Sequence, residues 1–171
     1  MMNQRVWNRI VAALKTRPRL SDAVDFGVAA VVFALCADII GTPGGLIHSS
    51  PREPHALAWL ALRALFIPAL GEEIVFRGAL IPSKSEMRRP ARAIAISTAF
   101  FTLWHVVETL WLPGAAATFL RADFLTLAAL LGFLCALLRS RSGSLWTAVA
   151  LHWLVVVAWQ GWFGGPSLGA R

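Results

Sequence analysis

Residues 122–138 read A-D-F-L-T-L-A-A-L-L-G-F-L-C-A-L-L, a largely apolar run with one charge, and Arg139 and Arg141 follow it. A helix of about 20 apolar residues crosses the hydrocarbon core of a bilayer. Four more such stretches can be laid out along the chain, at residues 23–41, 56–81, 91–112 and 144–163. Backbone groups in lipid must be hydrogen-bonded within their own segment, so these stretches predict helices.

The composition of the whole chain agrees with a membrane protein. Of the 171 residues, 57% are hydrophobic and 15% are charged, whereas about 25% are charged in soluble domains. We therefore predict an all-α, polytopic transmembrane bundle of about five spans over residues 23–163, followed by a short tail at 164–171. The basic segment at residues 1–22 is interpreted as either an interfacial helix or a solvated tail.

The net charge of +7 is distributed unevenly along the chain. Eleven of the sixteen Lys and Arg residues precede the first stretch or lie in the loops after the second and fourth stretches, whereas three lie in the other loops and at the C-terminus. The positive-inside rule then predicts a cytoplasmic N-terminus and an external C-terminus, in a bacterial inner membrane. The basic excess thus indicates topology and attraction to anionic lipid, and no nucleic-acid partner is expected.

Three ionisable side chains on three different stretches are predicted to lie at one depth. Glu72 is twelve residues from the basic anchor Lys84, which places it about 18 Å deep at the rise of an α-helix. By the same measure His105 lies about 20 Å deep and His152 about 16 Å deep. Ionisable groups inside a membrane are costly and usually functional, so a carboxylate and two imidazoles at one level predict a chemical site.

The segment that carries Glu72 contains two more charges, at Glu73 and Arg77. Their i,i+4 spacing, with the acid first, is the favourable orientation for an ion pair within a helix. Glu72 points about 100° away around the helix and has no partner within it. We therefore predict that Arg77 holds Glu73, and that Glu72 is left free to act as a general acid or base.

Three motifs resemble those of one known family. G-E-E-I-V-F-R-G at residues 71–78 resembles the E-E-x-x-x-R motif of the CPBP family, which includes the CAAX proteases and bacteriocin-processing enzymes. F-T-L-W-H at residues 101–105 is similar to its F-x-x-x-H motif, and R-S-G-S-L-W-T-A-V-A-L-H at residues 141–152 is similar to its last motif. The resemblance covers about residues 56–160, which we take as the protease core.

The resemblance implies a glutamate-type intramembrane endopeptidase that cuts a membrane-bound or lipid-anchored peptide or protein near its terminus. Glu72 with His105 would activate water, Glu73 with Arg77 would hold the geometry, and His152 would bind the oxyanion. No cofactor is implied. Zinc is the chemical alternative, because one Glu and two His are the ligands of several zinc hydrolases. A separate general base would then be required.

One position departs from the family pattern. The last motif commonly reads H-x-x-x-N, and the residue four after His152 is Val156, which cannot donate a hydrogen bond. Gln160, Trp104 and Trp153 are the candidate substitute donors. The alternative function is a non-catalytic protein of the same fold that binds or shields a peptide, as in immunity to a bacteriocin.

The remaining ionisable groups of the stretches have two interpretations each. Glu108 lies three residues after His105, where it either orients that imidazole or lies unused near the external interface. Asp38 and Arg63 are predicted to pair with each other. The identity of the substrate and the oligomeric state do not follow from the sequence.

Overall fold

The computed structural model describes residues 4–86, 88–112 and 114–166, which form helices and turns with one isolated bridge between Ser50 and Phe163. The α-helices are α1 (Gln4–Lys15), α2 (Leu20–Gly41), α3 (Pro54–Ala64), α4 (Gly71–Glu73), α5 (Pro90–Glu108), α6 (Ala116–Phe119), α7 (Ala122–Ser142) and α8 (Trp146–Trp162). Two π-helical segments flank α4, π1 (Leu65–Leu70) and π2 (Ile74–Ala79). The predicted all-helical fold is confirmed. Residues 1–3, and residues 167–171 of the predicted tail, lie outside the described residues.

Among the described residues, three helices are long and apolar enough to cross a membrane, namely α2, α5 and α7. They correspond to the predicted stretches 23–41, 91–112 and 122–138, and the count of about five is not confirmed. The stretch 144–163 forms α8, whose 17 residues lie at the lower end of the range for a spanning helix. The stretch 56–81 is not one continuous helix. Ile67 is extended (φ −135°, ψ 111°) before Pro68, as expected because the proline ring disfavours helical geometry in the preceding residue.

Helix α7 is the centre of the bundle and packs against α5, α2 and α8. Its buried face contributes Leu131, Leu134 and Cys135 to a cluster that also contains Phe101 of α5 and Leu151 of α8. In contrast, α2 exposes a large apolar surface that includes Val24, Val28, Val31, Leu35 and Ile39. Such a continuous apolar surface is unusual on a protein in water and is typical of a helix that faces lipid.

The N-terminal segment forms a helix docked onto the bundle, so a plain solvated tail is the wrong interpretation for residues 4–15. Ile10 and Ala13 are buried, and the carbonyl of Ala13 accepts a 3.0 Å hydrogen bond from the backbone N–H of Leu145. Its position relative to a membrane surface stays a prediction. We call this side of the molecule the basic end, which comprises α1, the connection 80–89 and the turn between α7 and α8.

Candidate active site

The segment with the two glutamates is a short helix separated from α3 by the break at Ile67 and Pro68. Pro68 lacks a backbone N–H, so the hydrogen-bond ladder of α3 cannot continue through it. Glu72 and Glu73 then begin a new helical segment in α4, between π1 and π2. Because Ile67 inside π1 is extended, π1 is a kink between two helices, and Glu72 and Glu73 lie just after it.

Glu73 is fully buried and binds two partners through one carboxylate oxygen. Its Oε1 accepts a hydrogen bond of 2.9 Å from Arg77 Nη1 and one of 2.9 Å from Nδ1 of His152. The predicted ion pair between Glu73 and Arg77 is therefore present, with both side chains 0% exposed. A carboxylate only accepts hydrogen bonds, so Nδ1 of His152 carries a hydrogen atom, and this N–H donates the hydrogen bond to Glu73. His152 consequently has its Nε2 available for another group.

Arg77 is held on two further sides by α5 and α7. Its Nη2 donates to the carbonyl of Gly132 at 2.9 Å, and its Cζ lies 4.2 Å from the centroid of the Phe101 ring. A Cβ at Gly132 would lie 3.3 Å from Arg77 Nη2 and 3.0 Å from Phe101 Cδ1. The absent side chain of Gly132 therefore makes room for the guanidinium. We call Glu73, Arg77 and His152 the buried cluster.

Next to the buried cluster lies a cavity of about 900 Å³ enclosed by α2, α3, α5, α7 and α8. Glu72, His105 and His152 all line it. Three residues predicted to share one depth thus share one cavity. The Oε2 atom of Glu72 is buried and has no hydrogen-bond partner among the residues that the structure describes. The cavity wall is otherwise mostly apolar, so Glu72 is one of the few polar groups that a bound molecule would meet.

His105 is fixed in one orientation by its own helix. Its Nδ1 lies 2.9 Å from the carbonyl oxygen of Phe101, one turn earlier in α5. A carbonyl only accepts, so Nδ1 carries the proton and Nε2 of the neutral ring has a free lone pair. The ring also makes edge contacts with Phe101, Phe119 and Phe124. This aromatic frame leaves the imidazole little freedom to rotate.

The family comparison agrees with these residues. The family described as Type II CAAX prenyl endopeptidase, Rce1-like, matches residues 54–158. The chain belongs to this family. No curated protein and no solved structure matches it. The family is one of proteases, so together with the three apolar helices the match identifies an integral membrane protein of the CAAX protease family.

The candidate oxyanion donors occupy different environments in this CAAX protease family member. Val156, at the position of the usual asparagine, is buried and lines the cavity. Trp153 is not available as a donor, because its Nε1 donates to the carbonyl of Ala61 at 2.7 Å. Trp104 Nε1 is buried next to the carboxylates of Glu72 and Glu108, without a hydrogen bond of good geometry within the described part of the chain. Gln160 also lines the cavity, so Gln160 and Trp104 stay as candidates.

Glu108 is a cavity residue whose place the sequence left open. It lines the same cavity as Glu72 and His105. Both interpretations, that it orients His105 and that it lies unused near the external interface, stay predictions. The i+3 spacing from His105 was the signal for this placement, because it puts both side chains on one face of α5. Asp38 and Arg63 line the cavity as well. Their pairing stays a prediction.

A zinc site would require three His, Cys, Asp or Glu side chains that converge on one point. Within residues 4–86, 88–112 and 114–166, no group of three His, Cys, Asp or Glu side chains is placed to hold a metal ion. His152 directs its Nδ1 toward Glu73, and Glu73 in turn binds Arg77. The hydrogen bond at Nδ1 leaves Nε2 of His152 free, as in many histidines that bind a metal. That no cofactor takes part therefore stays a prediction.

Proposed function

We propose that the protein is an intramembrane endopeptidase in which Glu72 activates water for attack on a peptide bond. The observation that carries this proposal is the shared cavity of Glu72, His105 and His152, in which Glu72 has a buried oxygen without a partner. Glu73 is committed to Arg77 and His152. Oε2 of Glu73 also lacks a partner among the described residues, but Glu73 does not line the cavity. Of the two adjacent carboxylates, Glu72 is therefore the one that water in the cavity would meet.

The proposed reaction uses each cavity residue for one task. Water lies between the Glu72 carboxylate and Nε2 of His105, gives a proton to Glu72 and attacks the scissile carbonyl carbon. The resulting oxyanion accepts a hydrogen bond from Nε2 of doubly protonated His152, whose Nδ1 donates to Glu73. Glu73 and the oxyanion together then balance the charges of Arg77 and His152. Glu72 then passes its proton to the departing amine as the C–N bond breaks. General acid–base catalysis of this type contributes about 10²- to 10⁴-fold to the rate.

The proposed substrate is a peptide or protein whose cleaved terminus is associated with the membrane. The apolar cavity wall supports this, because it would bind a lipid-linked or hydrophobic terminus. The name of the family suggests a prenylated C-terminus as the first substrate to test. We further propose about five spans, with α3 to π2 and α8 crossing together with the three long helices. The N-terminus then faces the cytoplasm of a bacterial cell, and no metal takes part.

The decisive experiment compares Glu72→Gln with the wild type and with Glu53→Gln, an exposed glutamate at the start of α3. Purified protein in lipid vesicles is given a fluorogenic peptide with a prenylated cysteine near its C-terminus, and cellular peptide termini are compared between strains. We expect Glu72→Gln to lose about 10²- to 10⁴-fold in turnover, whereas Glu53→Gln keeps it. A chelator leaves turnover unchanged. Equal processing by Glu72→Gln and the wild type contradicts the proposal.

Val156 favours a second candidate, a non-catalytic protein that shields a peptide in the cavity. The residue presents an apolar side chain to the cavity where the family pattern has an amide. The variant Val156→Asn separates the two functions. If the oxyanion site is intact but lacks a donor, turnover rises by about 10-fold or more. If Val156→Asn leaves a protein without proteolysis and Glu72→Gln keeps the cellular phenotype, shielding is the function.

A further inference from the structure

Arg139 in the last turn of α7 is a buried cation without an acidic partner. Its side chain is 2% exposed, and its Nε has no hydrogen-bond partner in the described ranges. None of the ion pairs between described residues includes it. Burying an unpaired charge costs several kcal/mol unless a counter-ion is present. An anion bound beside Arg139 would remove this cost.

The acidic residues near the basic end are engaged elsewhere. Asp22 accepts a 2.7 Å hydrogen bond from the backbone N–H of Arg19, and Asp25 pairs with Arg141 at 2.8 Å. Glu86 pairs with Arg9 at 2.8 Å. Each of these three carboxylates thus serves another group, and no carboxylate among the described residues is paired with Arg139.

A second cation lies close to the same turn of α7. Gly143, four residues after Arg139, donates its backbone N–H to the Arg139 carbonyl at 3.0 Å. A Cβ at Gly143 would lie 3.5 Å from Cε of Lys84, so the Lys84 stem rests against this end of α7. One turn before Arg139, Ala136 packs in a buried cluster with Ile81 and Ile94. The connection 80–89 therefore packs against this end of α7, with Ile81 beside Ala136 and the Lys84 stem beside Gly143.

We propose that Arg139 and Lys84 bind the phosphate group of an anionic phospholipid. A guanidinium matches two phosphate oxygens with parallel hydrogen bonds, and an ammonium adds a compact second charge. Arg139 ends a helix long enough to cross the bilayer, which places it at the depth of lipid headgroups. A separate apolar groove between α5 and α7 is lined by Ala95, Ala99 and Phe133, and in this proposal it holds an acyl chain. This site is separate from the cavity and does not rest on the proposed proteolysis.

The test measures the unfolding temperature of the full chain in an uncharged detergent with added phosphatidylglycerol, phosphatidylcholine or inorganic phosphate. We expect phosphatidylglycerol to raise the unfolding temperature by several degrees, and the other two to have little effect. Arg139→Gln loses most of this rise. Arg88→Gln, which removes an exposed charge from the same connection, keeps it.

A second variant and the two control ligands decide the remaining outcomes. Lys84 is exposed, so Lys84→Gln folds even if Arg139→Gln does not, and we expect it to reduce the rise. The proposal is overturned if phosphatidylglycerol raises the unfolding temperature of Arg139→Gln as much as that of the wild type. If Arg139→Gln does not fold, an equal rise in Lys84→Gln and the wild type overturns it. Equal protection by phosphatidylcholine overturns the requirement for an anionic headgroup. Equal protection by inorganic phosphate overturns the assignment to a lipid and identifies a site for free phosphate.

Discussion

Two Arg–Glu pairs of nearly equal geometry lie in opposite environments. Arg77 and Glu73 pair at 2.9 Å with both side chains 0% exposed, and Arg9 and Glu86 pair at 2.8 Å with side chains 25% and 36% exposed. The distance alone therefore says little about the energy or the role of a pair. The buried pair also binds His152 and Gly132, whereas the exposed pair joins α1 to the connection 80–89.

Breaking the buried pair has the largest expected effect on stability. Arg77→Met leaves the Glu73 carboxylate buried without its cation, and removing one partner of a buried pair costs about 3–5 kcal/mol. We expect the double variant Glu73→Leu with Arg77→Met to be less destabilised than Arg77→Met alone, because no charge is stranded. Unfolding in mixed micelles of increasing sodium dodecyl sulfate content measures both values. The single variant Glu73→Leu is measured as well. If the double variant loses as much free energy of unfolding as the two single variants added together, the pairing of Glu73 with Arg77 is contradicted.

Removing the third member of the buried cluster has the next largest effect. His152→Gln loses or weakens the hydrogen bond to Glu73, and a hydrogen bond to a charged group contributes about 1.5–3 kcal/mol. We expect the free energy of unfolding to fall by an amount in that range, and proteolytic turnover to fall as well. His55→Gln, a change at an exposed histidine near the start of α3, is the matched control and changes neither. Full turnover in His152→Gln argues against its role at the oxyanion.

The buried pair is the part of the site that the sequence specified best. The i,i+4 spacing of Glu73 and Arg77 acts within one turn of helix, so it needs no knowledge of the fold. Depth along separate helices was also informative, because it placed Glu72, His105 and His152 in one cavity. Depth does not determine the direction in which a side chain points around its helix. His152 accordingly binds Glu73 through Nδ1, a contact that the sequence did not indicate.

The second apolar stretch shows where the sequence pattern was insufficient. Hydropathy over residues 56–81 predicts one span, because an apolar count is insensitive to Pro68 in its middle. The break at Ile67 lets π1 and α3 pack against α8, whose Trp153 donates to the carbonyl of Ala61, whereas π2 packs against α1 and α5. For the same reason Trp153 could be excluded as an oxyanion donor only from the structure.

A smaller effect is expected from crowding the buried pair without removing its atoms. Gly132→Ala places a methyl group against Phe101 and Arg77, both 0% exposed. Overpacking lowers stability by about 1–3 kcal/mol, whereas alanine in place of glycine within a helix raises it by about 1 kcal/mol. We expect a net loss of about 1 kcal/mol and reduced turnover. Gly27→Ala in α2, where no atom lies within 4 Å, is the control and is neutral or stabilising.

The smallest effect belongs to the exposed pair. The hydrogen bonds from Arg9 and Ser83 lower the pKa of Glu86 from 4.5 to about 2. A carboxylate whose pKa is lowered on folding contributes stability above its unfolded pKa, and this contribution is lost as the pH falls from about 4.5 toward 2. Because the pair is partly exposed and screened by solvent, Glu86→Gln costs less than about 1 kcal/mol at neutral pH, and less still in 1 M salt. Unfolding curves of the wild type and Glu86→Gln should therefore converge between pH 4.5 and pH 2. A difference that persists at pH 2 would mean that Glu86 contributes through packing and not through its charge.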